Sequence, residues 1–461
     1  MWFYVPVVDE KAEGWTGSIE PPSGPGEFWS IEAVRHVGLE DLHNAAPFEN
    51  RLVNALLNHQ EPCTLVDPRI QTIDPGSLGV RLTALRTRVK GEATALLRNL
   101  VVEDREAAMF LGYSVDSPTF SLWYGAPAFR SDLDYEARTY AVTIEDTKRE
   151  SYPLADGTRI VVTTGVEVRE NGYNAALHST SALRVDFAQA VSLDRLMSTT
   201  IGLERLFGFL IGFRGTFPKF RTWTGDTYRV GDSDITTDGD LEVSGLDWKS
   251  GDLPHPLSCR HRRGWGGASI ELVLERFLLR STDLLTRIAA VERSELFTTD
   301  IFERFASTMP ILEAYLKARY TTPDEASFLQ AQKAFFDWVD QSPDSDVIGF
   351  SRKHLDVKKS KAPSLRMLLD RAIAFVNSKG FAFPTDYAAR IQARRGSVFH
   401  RAPQEDQSEI RKFWADGLAV TNLLLLHTLD DLGIDIAYLA ENYPSGSLRW
   451  FVQRTERSPL D

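Results

Sequence analysis

Asp156-Gly-Thr-Arg-Ile160-Val-Val-Thr-Thr-Gly165-Val-Glu-Val-Arg-Glu170-Asn-Gly172 is a β-rich run framed by two turn signals. Asp-Gly and Asn-Gly between such runs favour tight hairpin turns, because these residues tolerate positive φ. Residues 159–168 therefore read as a strand, and residues 181–187 as its return. Upstream, residues 139–144 alternate in the same way.

Outward from this hairpin the first 190 residues keep the same character. Trp15-Thr-Gly-Ser-Ile19, a Pro/Gly-rich loop and Phe28-Trp-Ser-Ile31 read as strand, loop, strand. Cys63-Thr-Leu-Val66 and Phe120-Ser-Leu-Trp-Tyr124 read as further short strands. The period then changes. Leu203, Leu206, Phe207, Leu210 and Ile211 recur at helical spacing over residues 192–213, with Ser192 placed to cap. Residues 244–267 have loop composition and mark a boundary. The Arg262-Arg263 pair within them reads either as a nucleic-acid contact or as solvated linker.

Beyond residue 268 every pattern is helical. Residues 268–290 carry Leu272, Phe277 and Leu284 on one face, and Thr299 or Asp300 starts a second helix to about Tyr320. Thr322-Pro-Asp-Glu325 combines a cap, a proline at the first helical position and an acid at the third. Pro363 and Pro384 open two more helices, and residues 405–430 form a long apolar one. The chain is thus expected to be α+β: a β-rich N-terminal domain over 1–265, an all-α bundle over 267–445 and a polar tail over 446–461. Short loops between the helices predict up-and-down packing.

Composition narrows the setting. A hydrophobic share of 43% with 25% charged residues fits a globular chain rather than a disordered one. Two cysteines, Cys63 and Cys259, support no disulfide framework and fit a reducing compartment. Cys259 and His261 are neighbours, but nothing nearby completes a metal site. The apolar start lacks a basic leader, and the run 423–426 is too short to span a bilayer, so a cytoplasmic protein is expected. A net charge of −12 argues against general nucleic-acid binding. Yet residues 351–401 hold twelve basic side chains against three acids. Such an island reads as a local anion site, with a solvated helix face as the plain alternative.

Within the island lies Ala389-Arg-Ile-Gln-Ala-Arg394-Arg395-Gly-Ser-Val-Phe-His400-Arg401. Of the nine histidines, only His400 has an arginine five to seven positions upstream. Arginine offers a fixed fork of donors to phosphate oxygens. Histidine exchanges a proton near neutral pH. The pair suits a phosphodiester. Five residues along an ideal helix rotate a side chain by roughly 140°, so one helix presents the pair poorly to a single phosphate. A two-fold axis would face two such helices across one cleft.

A bundle with Arg-x4-6-His in a late helix resembles the HEPN superfamily (higher eukaryotes and prokaryotes nucleotide-binding). Ile301-Phe-Glu-Arg-Phe through Pro310-Ile-Leu-Glu313-Ala-Tyr is similar to an earlier helix of these bundles. The N-terminal half resembles that of ApeA-type abortive-infection proteins, on Gly17-Ser-Ile, Cys63-Thr-Leu, Phe120-Ser-Leu-Trp123 and the apolar run 203–213. The resemblance implies a metal-independent endoribonuclease of anti-phage defence, without cofactor, working as a homodimer through the bundle. Its substrate would be RNA, with tRNA among the candidates. Arg395 and His400 would be catalytic, and Arg394 or Glu313 would support them. Lys358, Lys359, Lys361, Arg390 and Arg401 would bind the RNA backbone. The N-terminal domain would sense a phage-derived trigger. The family usually places a polar residue after the arginine, and Gly396 stands there instead. The choice between Arg394 and Arg395 therefore stays open. Glu313 reads as a helper acid or as part of a salt-bridged helix face. The alternative function is a non-catalytic dimerisation or nucleotide-binding module.

Overall fold

In the computed structural model, residues 2–4, 16–37, 52–57, 61–74, 85–125, 129–134, 139–171, 174–215, 218–230, 233–246, 252–255, 258–263, 265, 268–298, 300–341, 344–354, 363–398, 407–442, 448 and 451 are described. The chain is α+β and divides into two compact units, Met1–Arg263 and Gly264–Asp461.

The first unit is built on antiparallel pairing. Among the described residues fourteen strands form one sheet, and Phe129–Asp134 pairs with Thr139–Ile144 in a second, two-stranded sheet. The central hairpin is long. Arg159–Asn171 pairs with Asn174–Val191, Arg159 facing Asp186 and Asn171 facing Asn174. The strand across the Asp156-Gly157 turn is Lys148–Pro153, one strand later than residues 139–144. A buried cluster including Ile19, Trp29, Ile31 and Leu65 forms one core of this unit.

Two helices belong to it. Helix α1 (Pro118–Tyr124) replaces the strand expected over residues 120–124. Ser117 caps it by accepting from Phe120 N–H at 3.1 Å, and Pro118 fits the first helical position. Its aromatic side chains then pack sideways. Phe120 and Trp123 lie 4.8 and 5.3 Å from the ring of Phe207 on helix α2 (Leu193–Ile211). Helix α2 is capped by Ser192, as its spacing predicts. The buried Glu204 of α2 accepts from the Ser117 hydroxyl at 3.0 Å and from that of Thr119. Burial pushes its carboxyl above the usual range, against the pull of those two hydroxyls.

The arginines at 260–263 are not a solvated linker. Arg260 and His261 are buried, and the segment seals the ends of both helices. Arg260 Nη1 donates to Phe209 O at 2.7 Å, and His261 N–H to Leu210 O at 2.8 Å. Arg262 Nε donates to Leu122 O at 3.2 Å, and Arg263 N–H to Trp123 O at 2.9 Å. Cations and donors at helix C-termini satisfy carbonyls that the helix leaves orphaned. Trp123 Nε1 in turn donates to His261 Nδ1 at 3.0 Å. Gly125, at φ 60°, takes a left-handed conformation that L side chains rarely adopt. A Cβ would sit 2.0 Å from Arg262 Nη2.

The second unit is helical. A single helix expected over residues 268–290 is broken at Arg280 into α3 (Ile270–Leu279) and α4 (Ser281–Glu292). A π turn, Arg293–Phe297, follows. Next come α5 (Ile301–Tyr320), capped by Asp300, and α6 (Pro323–Asp340), opened by the Thr322/Glu325 capping box. The bundle continues with α7 (Ser345–His354), α8 (Leu365–Ser378), α9 (Tyr387–Val398), α10 (Gln407–Asp431) and α11 (Ile436–Asn442). Helix α10 packs on both α5 and α4 and is the apolar axis, with Val420 and Leu423–Leu426 buried. The segment expected as a polar tail contributes to this core. Leu448 and Phe451 are buried, and Phe451 stacks on Phe383 at 4.2 Å.

His427 of α10 is fully buried among rings. It stacks on Phe375 at 5.2 Å, with Tyr315 and Tyr320 at 5.5 and 5.7 Å. Neither ring nitrogen has a hydrogen-bond partner among the described residues. Burial pushes its pKa down from 6.5 to about 3, and the charges of Arg319 and Arg287 push the same way. In the unfolded chain this histidine charges below about 6.5, and in the fold it stays neutral. Its contribution is therefore present above that pH and drains away as pH falls towards 3. His427→Phe should flatten the acid limb of stability, read from urea midpoints over that pH range.

Candidate active site

Helix α9 owes its position to its first turn. Tyr387, Ala388 and Ile391 are buried, which fixes the rotation of the helix. Arg390 and Arg394, four residues apart, then share one face. Both reach Asp416, an acid on α10 whose side chain is wholly buried. Arg390 Nη2 lies 2.6 Å from Asp416 Oδ1, and Arg394 Nε donates to Oδ2 at 3.1 Å. The Arg394 guanidinium also lies over the Phe413 ring at 5.4 Å. Burial raises the Asp416 carboxyl above its ordinary range, and the Arg394 hydrogen bond and the charge of Arg390 pull it back only in part.

Arg395 is turned about 100° further round the helix. Its side chain is 48% exposed, and Nε lies 2.8 Å from Glu313 Oε2 on α5. Glu313 also holds Lys317 at 2.8 Å. Glu313 is thus the salt-bridged acid of the two readings, and it sets the direction of the Arg395 fork. Among the proposed site residues the fold brings together Arg395 with Glu313, and Arg390 with Arg394. His400, Arg401, Lys358, Lys359 and Lys361 lie outside the described residues.

Arg390, expected at the RNA backbone, is placed among carboxylates. Its guanidinium is engaged by Asp416 and, at 3.6 Å, by Asp386. Among the described residues of the basic island, several arginines are answered by acids from elsewhere in the sequence. Arg371 makes two hydrogen bonds to Glu325 of α6, at 2.9 and 3.0 Å, and these hold the Glu325 carboxyl down to about 2. Glu313 pairs with Arg395, and Asp416 with Arg390 and Arg394. A count of charges along residues 351–401 cannot see these partners.

Asp416 is the residue that the sequence reading passed over. Its signal was present: one acid inside the apolar run Phe413-Trp-Ala-Asp416-Gly-Leu418. An acid on a buried face needs cations within reach, and arginines at i, i+4 are suited to supply them. Arg394→Ala removes a charged hydrogen bond from a buried carboxylate and should destabilise the helical unit by about 1–3 kcal/mol. Arg395→Ala, at an exposed pair, should stay within about 0.5 kcal/mol. Thermal unfolding of the two variants tests that ordering.

Among the described residues no cluster of three or more His, Cys, Asp or Glu could hold a metal ion. No helix among them is long and apolar enough to cross a membrane. No protein-family model, no curated protein and no solved structure matches the chain.

Proposed function

We propose that this protein is a metal-independent endoribonuclease of the HEPN kind, acting in the cytoplasm in defence against phage. One observation carries the reading: the two adjacent arginines are sorted. Arg394 is turned inward on Asp416, whereas Arg395 is offered at the surface with its fork oriented by Glu313. The working register is then Arg395-x4-His400. In the reaction the 2′-hydroxyl attacks the adjacent phosphorus and the 5′-oxygen leaves. His400 moves the proton, and Arg395 holds the charge that gathers on the phosphoryl oxygens. A homodimer through the helical bundle pairs two such helices in one cleft, and the β-rich unit senses a phage-derived trigger.

The chemistry leaves a signature. Products should carry a 2′,3′-cyclic phosphate and a 5′-hydroxyl. Replacing the 2′-hydroxyl by hydrogen at the cleaved position should stop the reaction, because the nucleophile is gone. EDTA should leave the rate unchanged. Incubating the purified protein with total RNA and with a matched 2′-deoxy substrate decides the matter. Cleavage that dies in EDTA, or that proceeds on the deoxy substrate, overturns this mechanism, and no cleavage at all returns the bundle to a non-catalytic dimerisation or nucleotide-binding role.

A further inference from the structure

A cleft of about 890 Å³ opens between α3, α4, α5 and the C-terminal end of α10. Four arginines line it: Arg276, Arg280, Arg287 and Arg319. Its three acids are already engaged. Asp283 and Asp431 hold the buried Arg287 at 2.9 and 2.7 Å, and Asp430 holds Arg319 at 2.7 Å. Asp431 also pairs with Arg319.

That leaves two guanidinium groups over. Arg276 and Arg280 are exposed, four residues apart, and neither is paired with a carboxylate among the described residues. Arg276 reaches only the carbonyls of Asp430 and Asp431, at 3.4 and 3.5 Å. Both line the one cleft, and an oxyanion between them would offset their like charge. The wall beside them is apolar. Leu279 is 80% exposed, and Pro310, Ile311, Ala314 and Ala318 of α5 continue the surface. Small residues on α5 keep the groove open. A volume in this range suits a small organic molecule.

We propose that this cleft binds a small organic anion, its phosphate or carboxylate head held by Arg276 and Arg280 and its apolar body laid along Leu279 and α5. The proposal does not rest on the ribonuclease reading, since no residue of that site lines the cleft.

Titration calorimetry on the full chain tests it with four probes: naphthyl phosphate, naphthoate, naphthol and inorganic phosphate. Saturable binding of one or both naphthyl anions is expected, and comparing the two identifies the preferred head. Naphthol and inorganic phosphate, each lacking half of the ligand, should bind far more weakly. Removing two charged donors in the Arg276→Ala/Arg280→Ala double variant should weaken binding by at least about tenfold. Both residues are exposed, so the fold should survive. Leu279→Glu should weaken it as well, whereas Arg395→Ala should leave it unchanged. No saturable binding of either anion, naphthol bound as tightly as the anions, or affinity unmoved by the double substitution would overturn the proposal.

Discussion

Replacing His400 by Ala is expected to lower RNA cleavage by about two to four orders of magnitude, the usual worth of a positioned acid–base group. Arg395→Ala should cost about two to three orders, the range for a lost donor to a developing oxyanion. Arg395→Lys should recover only part of this. A point charge can keep the ion pair with Glu313 but cannot grip two phosphoryl oxygens as a fork does. Single-turnover rates on one RNA, with unfolding curves taken in parallel, separate this loss from the one expected of Arg394→Ala. In that variant activity should follow stability, because Arg394 is paired with the buried Asp416. Cleavage that survives His400→Ala would remove the mechanism.

The largest effect on stability is expected at Asp431. Its carboxylate holds Arg287, whose side chain is 1% exposed, and also Arg319. Asp431→Ala leaves a buried guanidinium with one remaining partner, Asp283, whose own side chain is 64% exposed. Breaking a buried pair from one side costs about 3–5 kcal/mol, because the other charge stays out of water. Asp283→Ala, which removes the solvated member, should cost under about 1 kcal/mol. Urea unfolding followed through the helical circular dichroism signal measures both. A drop at Asp431 no larger than that at Asp283 would show that Arg287 finds water when its partner is gone.

Much of the architecture was legible because it is local. The Asn-Gly hairpin, the Ser192 cap of α2 and the Thr322/Glu325 box each depend on residues within a few positions of one another. Phe120–Tyr124 misled because aromatic residues favour strands. There a Ser-Pro cap and the ring of Phe207, far along the chain, turned the segment into a helix. The order of the fourteen strands rests on pairings such as Phe110–Val115 with Phe220–Val230, which no local pattern encodes. At the candidate site the spacing of Arg395 and His400 could be read. The sorting of Arg394 from Arg395 could not, because it is decided by Asp416 on another helix.

The sealed segment at residues 258–263 bears on how the protein can be cut apart. By composition a knife could fall anywhere in residues 244–267, near residue 250 for instance, in what looks like connecting chain. A cut there takes away Arg260, His261, Arg262 and Arg263, and with them the lids on α1 and α2. The β-rich fragment would then carry open helix ends and an indole with no acceptor, and would tend to clump rather than behave as an isolated sensor. Severing after Arg263 keeps those plugs in the fragment they close.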